Sequence, residues 1–295
     1  MNENKIEEKL LLKLKEHGFQ NFLQQNEHGV NALMYSLLNN VYKNLNLKKN
    51  EWDYLIQHTD LKQKDKNGNI ALEYAIKENY LQKIYLTQNQ FDNLIKNSSL
   101  QKKQIFDILM DILFNNEKHK LHLSEKQLNY LIKNSNLKQK TKSGFNVLMY
   151  ALLYNNSENI NLTEDQWDYL IKHSNIKQQT TNDRNAFMIA LDMKLKNNLN
   201  FSDEKICQLW NPLSEEQKQN TFIIICKEYN KKKLNETSLI FLLYDLRFQP
   251  NQETIHFLQE NQNKKFLEMI KKRDLLLNLK QELSIKNNII PKIKI

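Results

Sequence analysis

Apolar positions along this chain fall into short recurring phrases. In LTEDQWDYLIKH (162–173), Trp167, Leu170 and Ile171 stand at i, i+3 and i+4, which puts one apolar stripe on a short helix. The phrase returns as LKKNEWDYLIQH (47–58), LTQNQFDNLIKN (86–97) and LSEKQLNYLIKN (123–134). Aligned on Trp52, Phe91, Leu128, Trp167 and Ile206, the copies are spaced by 39, 37, 39 and 39 residues. A second phrase alternates with the first: NALMYSLL (31–38), IALEYAIK (70–77), NVLMYALL (146–153) and NAFMIALD (185–192). A helix of about three turns cannot bury its stripe alone, so neighbouring pairs must stack to make a continuous core. The pattern therefore predicts an all-α solenoid of stacked helical hairpins, with LTEDQWDYLIKH forming the second helix of its hairpin.

The polar residues between the stripes mark the ends of the helices. Thr163 with Gln166, Ser124 with Gln127 and Thr87 with Gln90 have the spacing of reciprocal capping boxes. Flanking apolar pairs, such as Leu162 with Trp167 and Leu86 with Phe91, have the spacing of hydrophobic staples. Gly29, Gly68 and Gly144 occupy one repeat position, three residues before Ala32, Ala71 and Val147. That position calls for a left-handed backbone, and Asp183, which stands there in the fifth copy, is one of the few other residues that tolerate it. The copy beginning near Lys103, FDILMDILFNN, lacks the glycine turn, which predicts a more compact junction.

The stretch LKQKDKNGNIALEYAI (61–76) resembles the junction of an ankyrin repeat: Asp65, Gly68, Ala71, Leu72 and Ala75 match its pattern, and Leu55 with His58, Thr59 and Asp60 matches the end of its second helix. The resemblance covers residues ~20 to 210, with a period of about 39 against about 33 in ankyrin repeats. Asn-Ala-Leu-Met at 31–34, Ile-Ala-Leu-Glu at 70–73 and Asn-Val-Leu-Met at 146–149 stand where that family has Thr-Pro-Leu-His. The resemblance implies a scaffold that binds a protein partner through its repeat tips and first-helix face. Carried over residue by residue, the tips are Lys66, Asn67, Asn69, Lys142, Ser143, Phe145 and Arg184. The Asn, Lys and Ile bias resembles proteins from AT-rich genomes, including intracellular bacteria, in which ankyrin-like proteins are often host-directed effectors.

Residues 1–210 are thus read as an N-terminal capping helix and about five repeats, and residues 211–295 as a helical capping region with a basic tail. After Asn211-Pro212 a helix is expected from Ser214, with Gln217 completing its capping box, and further apolar patterns follow at 223–226, 239–246 and 257–283. The net charge of +9 lies largely in this tail: residues 262–295 hold nine Lys or Arg against three Asp or Glu. Lys271, Lys272, Arg273, Lys286, Lys292 and Lys294 define an alternative basic surface for nucleic acid or an acidic membrane.

Chemistry-bearing motifs are sparse. His119 and His122, near Glu117, have helical ligand spacing, but no further cluster completes a metal site. His58 and His173 share a repeat slot with Asn97 and Asn134, as polar residues at helix C-termini do. Cys207 and Cys226 lie in apolar surroundings, spaced for neither a disulfide framework nor zinc. There is no phosphate-cradling glycine loop and no nucleophile elbow. The expectation is a non-enzyme with no cofactor, metal or small-molecule substrate. It would be cytoplasmic, or delivered into a host cell without a cleavable signal.

Overall fold

The computed structural model describes residues 3–80, 86–98, 100–115, 123–154, 161–196, 199–230, 243, 248–261 and 264–289. Among them every regular element is a helix, and the only strand-like pairings are isolated bridges between Gln25 and Asn31 and between Gln179 and Asn185. The chain divides into two compact units, Met1–Asn175 and Ile176–Ile295. The end of the repeated phrase at 211–214 lies inside the second.

The first unit holds α1 (Glu3–Lys15), α2 (Ala32–Asn39), α3 (Lys49–His58), α4 (Ala71–Tyr80), α5 (Gln88–Asn97), α6 (Lys102–Asn115), α7 (Glu125–Asn134), α8 (Val147–Tyr154) and α9 (Glu164–His173). Helices α2, α4, α6 and α8 pack successively against one another, and each also packs on the helix that follows it, α3, α5, α7 and α9 respectively. The apolar stripes meet between these rows: Leu33, Leu72, Leu109 and Leu148 of the first helices and Leu55, Leu94 and Leu170 of the second are fully buried. Helix α1 closes one end of the second-helix row by packing on α3. Its Leu10 and Leu14 are buried, while Lys9 and Lys13 reach the buried carboxylate of Glu51 at 3.3 and 3.2 Å.

The expected caps are present. Thr87, Ser124 and Thr163 each accept from the backbone amide of the glutamine three residues on, and that glutamine accepts in return from the capping residue's amide. Each such cap contributes about 1 kcal/mol, so caps fix where helices begin, while buried apolar area supplies most of the stability. The same glutamines also bind the preceding second helix. Gln90 Nε2 donates to Lys49 O at 3.0 Å and to Asp53 Oδ1 at 2.8 Å, and Gln127 Nε2 donates to Gln88 O at 3.2 Å and to Asp92 Oδ1 at 2.9 Å. On α7 the slot of those aspartates holds Asn129, and Gln166 Nε2 of α9 finds no acceptor among the described residues.

Asparagine performs a parallel double task at the first helices. The Asn31 and Asn146 side chains cap α2 and α8 by accepting from Met34 N and Met149 N. Their Nδ2 groups donate to the carbonyls of Asp60 at 3.1 Å and Asn175 at 2.9 Å. The turns before these helices are left-handed where expected, with φ of 78° at Gly29, 87° at Gly68 and 83° at Gly144. Asp183 takes the same conformation at 59°. Without a glycine turn, α5 and α6 are joined by residues 98–101 alone.

The second unit holds α10 (Ala186–Leu195), α11 (Asp203–Trp210), α12 (Glu215–Asn230), α13 (Gln252–Glu260) and α14 (Lys264–Ile289). Ser214 and Gln217 form the expected capping box at α12. The single apolar pattern over 257–283 belongs to two helices: Asn261 ends α13, and α14 starts three residues later. Phe187, Trp210, Phe222 and Phe248 form an aromatic core with ring centroids 4.7–5.5 Å apart. Buried Gln219 ties α12 to α13 by donating to Gln249 O and accepting from Asn251 N and Thr254 Oγ1.

Candidate functional site

The tip residues singled out in the sequence do not share one environment. Lys66, Asn67, Lys142 and Ser143 are exposed. The Asn69 amide and Nδ2 both donate to Asp65, at 2.7 and 3.0 Å, so its polar groups serve the turn. Asp65 is itself buried and also accepts from Asn67 N and the Tyr74 hydroxyl. Burial pushes its carboxyl up, but the hydrogen bonds from Tyr74, Asn69 and Asn67 outweigh that and hold it below the usual range. Neighbouring tips also join through backbone, since Lys66 N donates to His28 O at 3.0 Å. Phe145 is half-buried, with its ring edge on Tyr150 at 5.2 Å, and is not a free aromatic at the turn. Arg184 is half-buried and pairs with Asp192 at 3.3 Å.

The first-helix face carries a more distinctive arrangement, which the sequence reading missed. Between α6 and α8 lies a groove lined by Phe106, Asp107, Met110, Asp111, Phe114, Thr141 and Tyr150. Helix α6 turns Phe106 inward and buries it, but leaves Phe114 50% exposed. The Phe114 ring meets Tyr150 at 6.2 Å and Tyr154 at 5.7 Å, and those tyrosines lie 5.7 Å from each other. Phe145 continues the cluster through Tyr150, joining one predicted tip residue to this face. Aromatic contacts of this edge-on kind fix ring orientation while leaving part of each ring uncovered.

Two carboxylates stand beside these rings. Asp107 and Asp111 are four residues apart, hence neighbours on one face of α6. Both reach solvent, yet the groove walls strip part of their water, and this desolvation pushes both carboxyls above the ordinary range. Lys103 offsets part of the effect at Asp107, whereas at Asp111 the charge of Asp107 adds to it. On α4, Glu73 is also pushed up, first by burial and then by the charges of Asp65 and Asp107. The local sequence signal was available: FDILMDILF sets two acids at i and i+4 within an otherwise apolar helix, with Phe114 one turn further on.

The basic C-terminal surface is only partly realised. Lys271 and Lys272 are exposed, but Arg273, expected beside them, is buried and donates to the Phe248 carbonyl and the Asp274 carboxylate. It closes the packing between α14 and the segment before α13, so it is unavailable to an external phosphate. Leu275, Leu276, Leu277 and Leu279 are exposed on the same helix. The Lys286 side chain, and Lys292 and Lys294, lie outside the described residues, as do Glu117, His119 and His122.

His58 Nδ1 lies 2.8 Å from Tyr54 O, and Asn134 Nδ2 donates to Tyr130 O at the same distance, so this slot serves helix ends. Cys226 is buried, which pushes its thiol well above the usual range, and Cys207 is half-buried and in no disulfide. Among the described residues no three His, Cys, Asp or Glu side chains are placed to hold a metal ion, and no helix is long and apolar enough to cross a membrane.

No protein-family model and no curated protein sequence matches the chain. Solved structures that match include a complex of a predatory endopeptidase from Bdellovibrio bacteriovorus with an immunity protein. The likeness has a TM-score of 0.41 at 15% sequence identity, over 72% of this chain and 97% of that one. A likeness of that size bears on neither activity nor partner.

Proposed function

We propose that the chain is a non-catalytic, ankyrin-like solenoid with a period of about 39 residues that binds a protein partner through its first-helix face, with the exposed tips as a rim. The observation that carries this reading is the α6–α8 groove, where Phe114, Tyr150 and Tyr154 cluster on a helix surface with Phe114 50% exposed. Aromatic residues in partly desolvated depressions are the usual energetic anchors of protein interfaces. Lys66, Asn67, Lys142 and Ser143 supply polar groups of the kind that surround such anchors.

The test is capture from host-cell and bacterial lysates by the intact protein and by Phe114→Ala with Tyr154→Ala, with helical content checked by circular dichroism. The double variant is expected to lose the captured protein, and Lys66→Glu to weaken capture less. Undiminished capture by a folded double variant contradicts the reading. The basic C-terminal alternative keeps Lys271 and Lys272 but not Arg273, and it requires binding that washes off with salt.

A further inference from the structure

Resting on that reading, we propose that the α6–α8 groove is an arginine-recognition site: it accepts the guanidinium of a partner protein segment between the aromatic rings of Phe114 and Tyr150 and the carboxylates of Asp107 and Asp111. A groove that only needed to bury an apolar side chain would have no use for two solvent-reaching acids in its lining. Like charges four residues apart on a helix repel, and here they do so where water is partly excluded. Lys103 offsets part of this repulsion at Asp107, and a cation seated against both carboxylates would offset more of it.

The rings and the acids select the kind of cation. An ammonium ion is compact and strongly hydrated, so stripping its water in a half-enclosed groove offsets much of the attraction. A guanidinium is planar and weakly hydrated, stacks on aromatic faces, and presents five donors in a fork that spans adjacent acceptors. Asp107 and Asp111, one helical turn apart, offer such acceptors at the edge of the aromatic cluster. The protein as a whole is basic, with net charge +9, which disfavours the general approach of a cationic segment, whereas the paired carboxylates of the groove attract it locally. A flexible arginine-bearing segment is thereby directed to this face rather than to the surface at large.

The experiment titrates the full chain with acetyl-Gly-Ser-Gly-Arg-Gly-Ser-Gly-amide at low ionic strength, following the ring resonances of Phe114, Tyr150 and Tyr154 by NMR. Parallel titrations use peptides in which lysine or citrulline replaces the arginine. The arginine peptide is expected to bind at least about tenfold more tightly than the citrulline peptide, with lysine between them. Asp107→Asn with Asp111→Asn should erase that difference. Equal binding of the arginine and citrulline peptides overturns the inference, and so does the absence of any ring shift with the arginine peptide. Either result leaves the protein-binding reading standing if capture still depends on Phe114 and Tyr154. Capture that is indifferent to those rings removes the reading itself.

Discussion

The second-helix row and the α6–α8 groove are built from the same kinds of hairpin, yet they use polar side chains in opposite ways. Along the second helices the carboxamides of Gln90 and Gln127 are buried, cap their own helix, and reach an aspartate and a backbone carbonyl of the helix before. Their polar groups are consumed by structure. In the groove, Asp107 and Asp111 lie in a partly dry depression that raises their pKa, beside rings with uncovered surface. A polar group that is buried and satisfied specifies how hairpins stack, whereas Asp107 and Asp111, whose charge Lys103 offsets only in part, are the groups on which the proposed binding rests.

That contrast can be broken or sharpened by substitution. The largest effect is expected at the tips, where Gly29 has φ of 78° and an added Cβ would lie 2.9 Å from Lys66 N, a backbone atom that cannot step aside. Gly29→Ala should destabilise by roughly 3 kcal/mol in urea unfolding, while Gly68→Ala should cost only about 1 kcal/mol. At Gly68 the φ of 87° is just as left-handed but the space is open. Equal losses at the two positions would mean that the tips do not abut.

Asp65→Asn is expected to cost about 2 kcal/mol near neutral pH, because a neutral amide cannot accept every hydrogen bond now made to the carboxylate. Its folded-state pKa is lowered, so the stabilisation is present above the unfolded-state pKa and is lost as pH falls through the folded one. The gap between wild type and variant should therefore close in acid, as unfolding midpoints over a pH series will read. Gln127→Ala should cost about 1.5 kcal/mol by removing half of a capping box and the bonds to Gln88 and Asp92. Asn129→Asp should gain about 0.5 kcal/mol by giving Gln166 Nε2 the acceptor that Asp53 and Asp92 give its counterparts. A loss of stability there would sink the idea that one ladder runs through α9.

The smallest effect belongs to the groove. Asp107 and Asp111 have raised folded-state pKa values, so the favourable contribution of their neutral forms is present below the unfolded-state pKa and lost as pH rises through the folded one. At neutral pH the pair is a small liability, and Asp107→Asn with Asp111→Asn should stabilise by about 0.3 kcal/mol once solvent screening is allowed for. Destabilisation by the double variant would move these residues into the structural class with Gln127.

The helix boundaries were legible in the sequence because their signals are local. A capping box needs only Thr87 and Gln90, and a left-handed turn only Gly68 or its stand-in Asp183. What lay beyond reach depends on which surfaces face each other. The second bond set of Gln90, to Lys49 and Asp53, becomes visible only when α3 and α5 are in register. Asn31 and Asn146 stand where the ankyrin pattern has threonine, and their bonds to the next junction likewise needed the stack. The acids of the groove are marked locally by FDILMDILF, but its ring cluster depends on α6 bringing Phe114 beside Tyr150 and Tyr154 of α8, which the sequence of α6 alone does not announce. The run of charge around Arg273 predicts a surface residue, but its guanidinium donates to the carbonyl of Phe248, remote in sequence, as well as to the adjacent Asp274.

The most direct test of the groove as the binding face is photo-crosslinking of the full chain in lysate from a benzoyl-phenylalanine placed at Phe114, with the same group at Lys133 on the exposed side of α7 as control. The account predicts a discrete crosslinked protein from position 114 and none from position 133. Crosslinking from position 133 with silence at 114 would contradict it and make the second-helix row the face that binds.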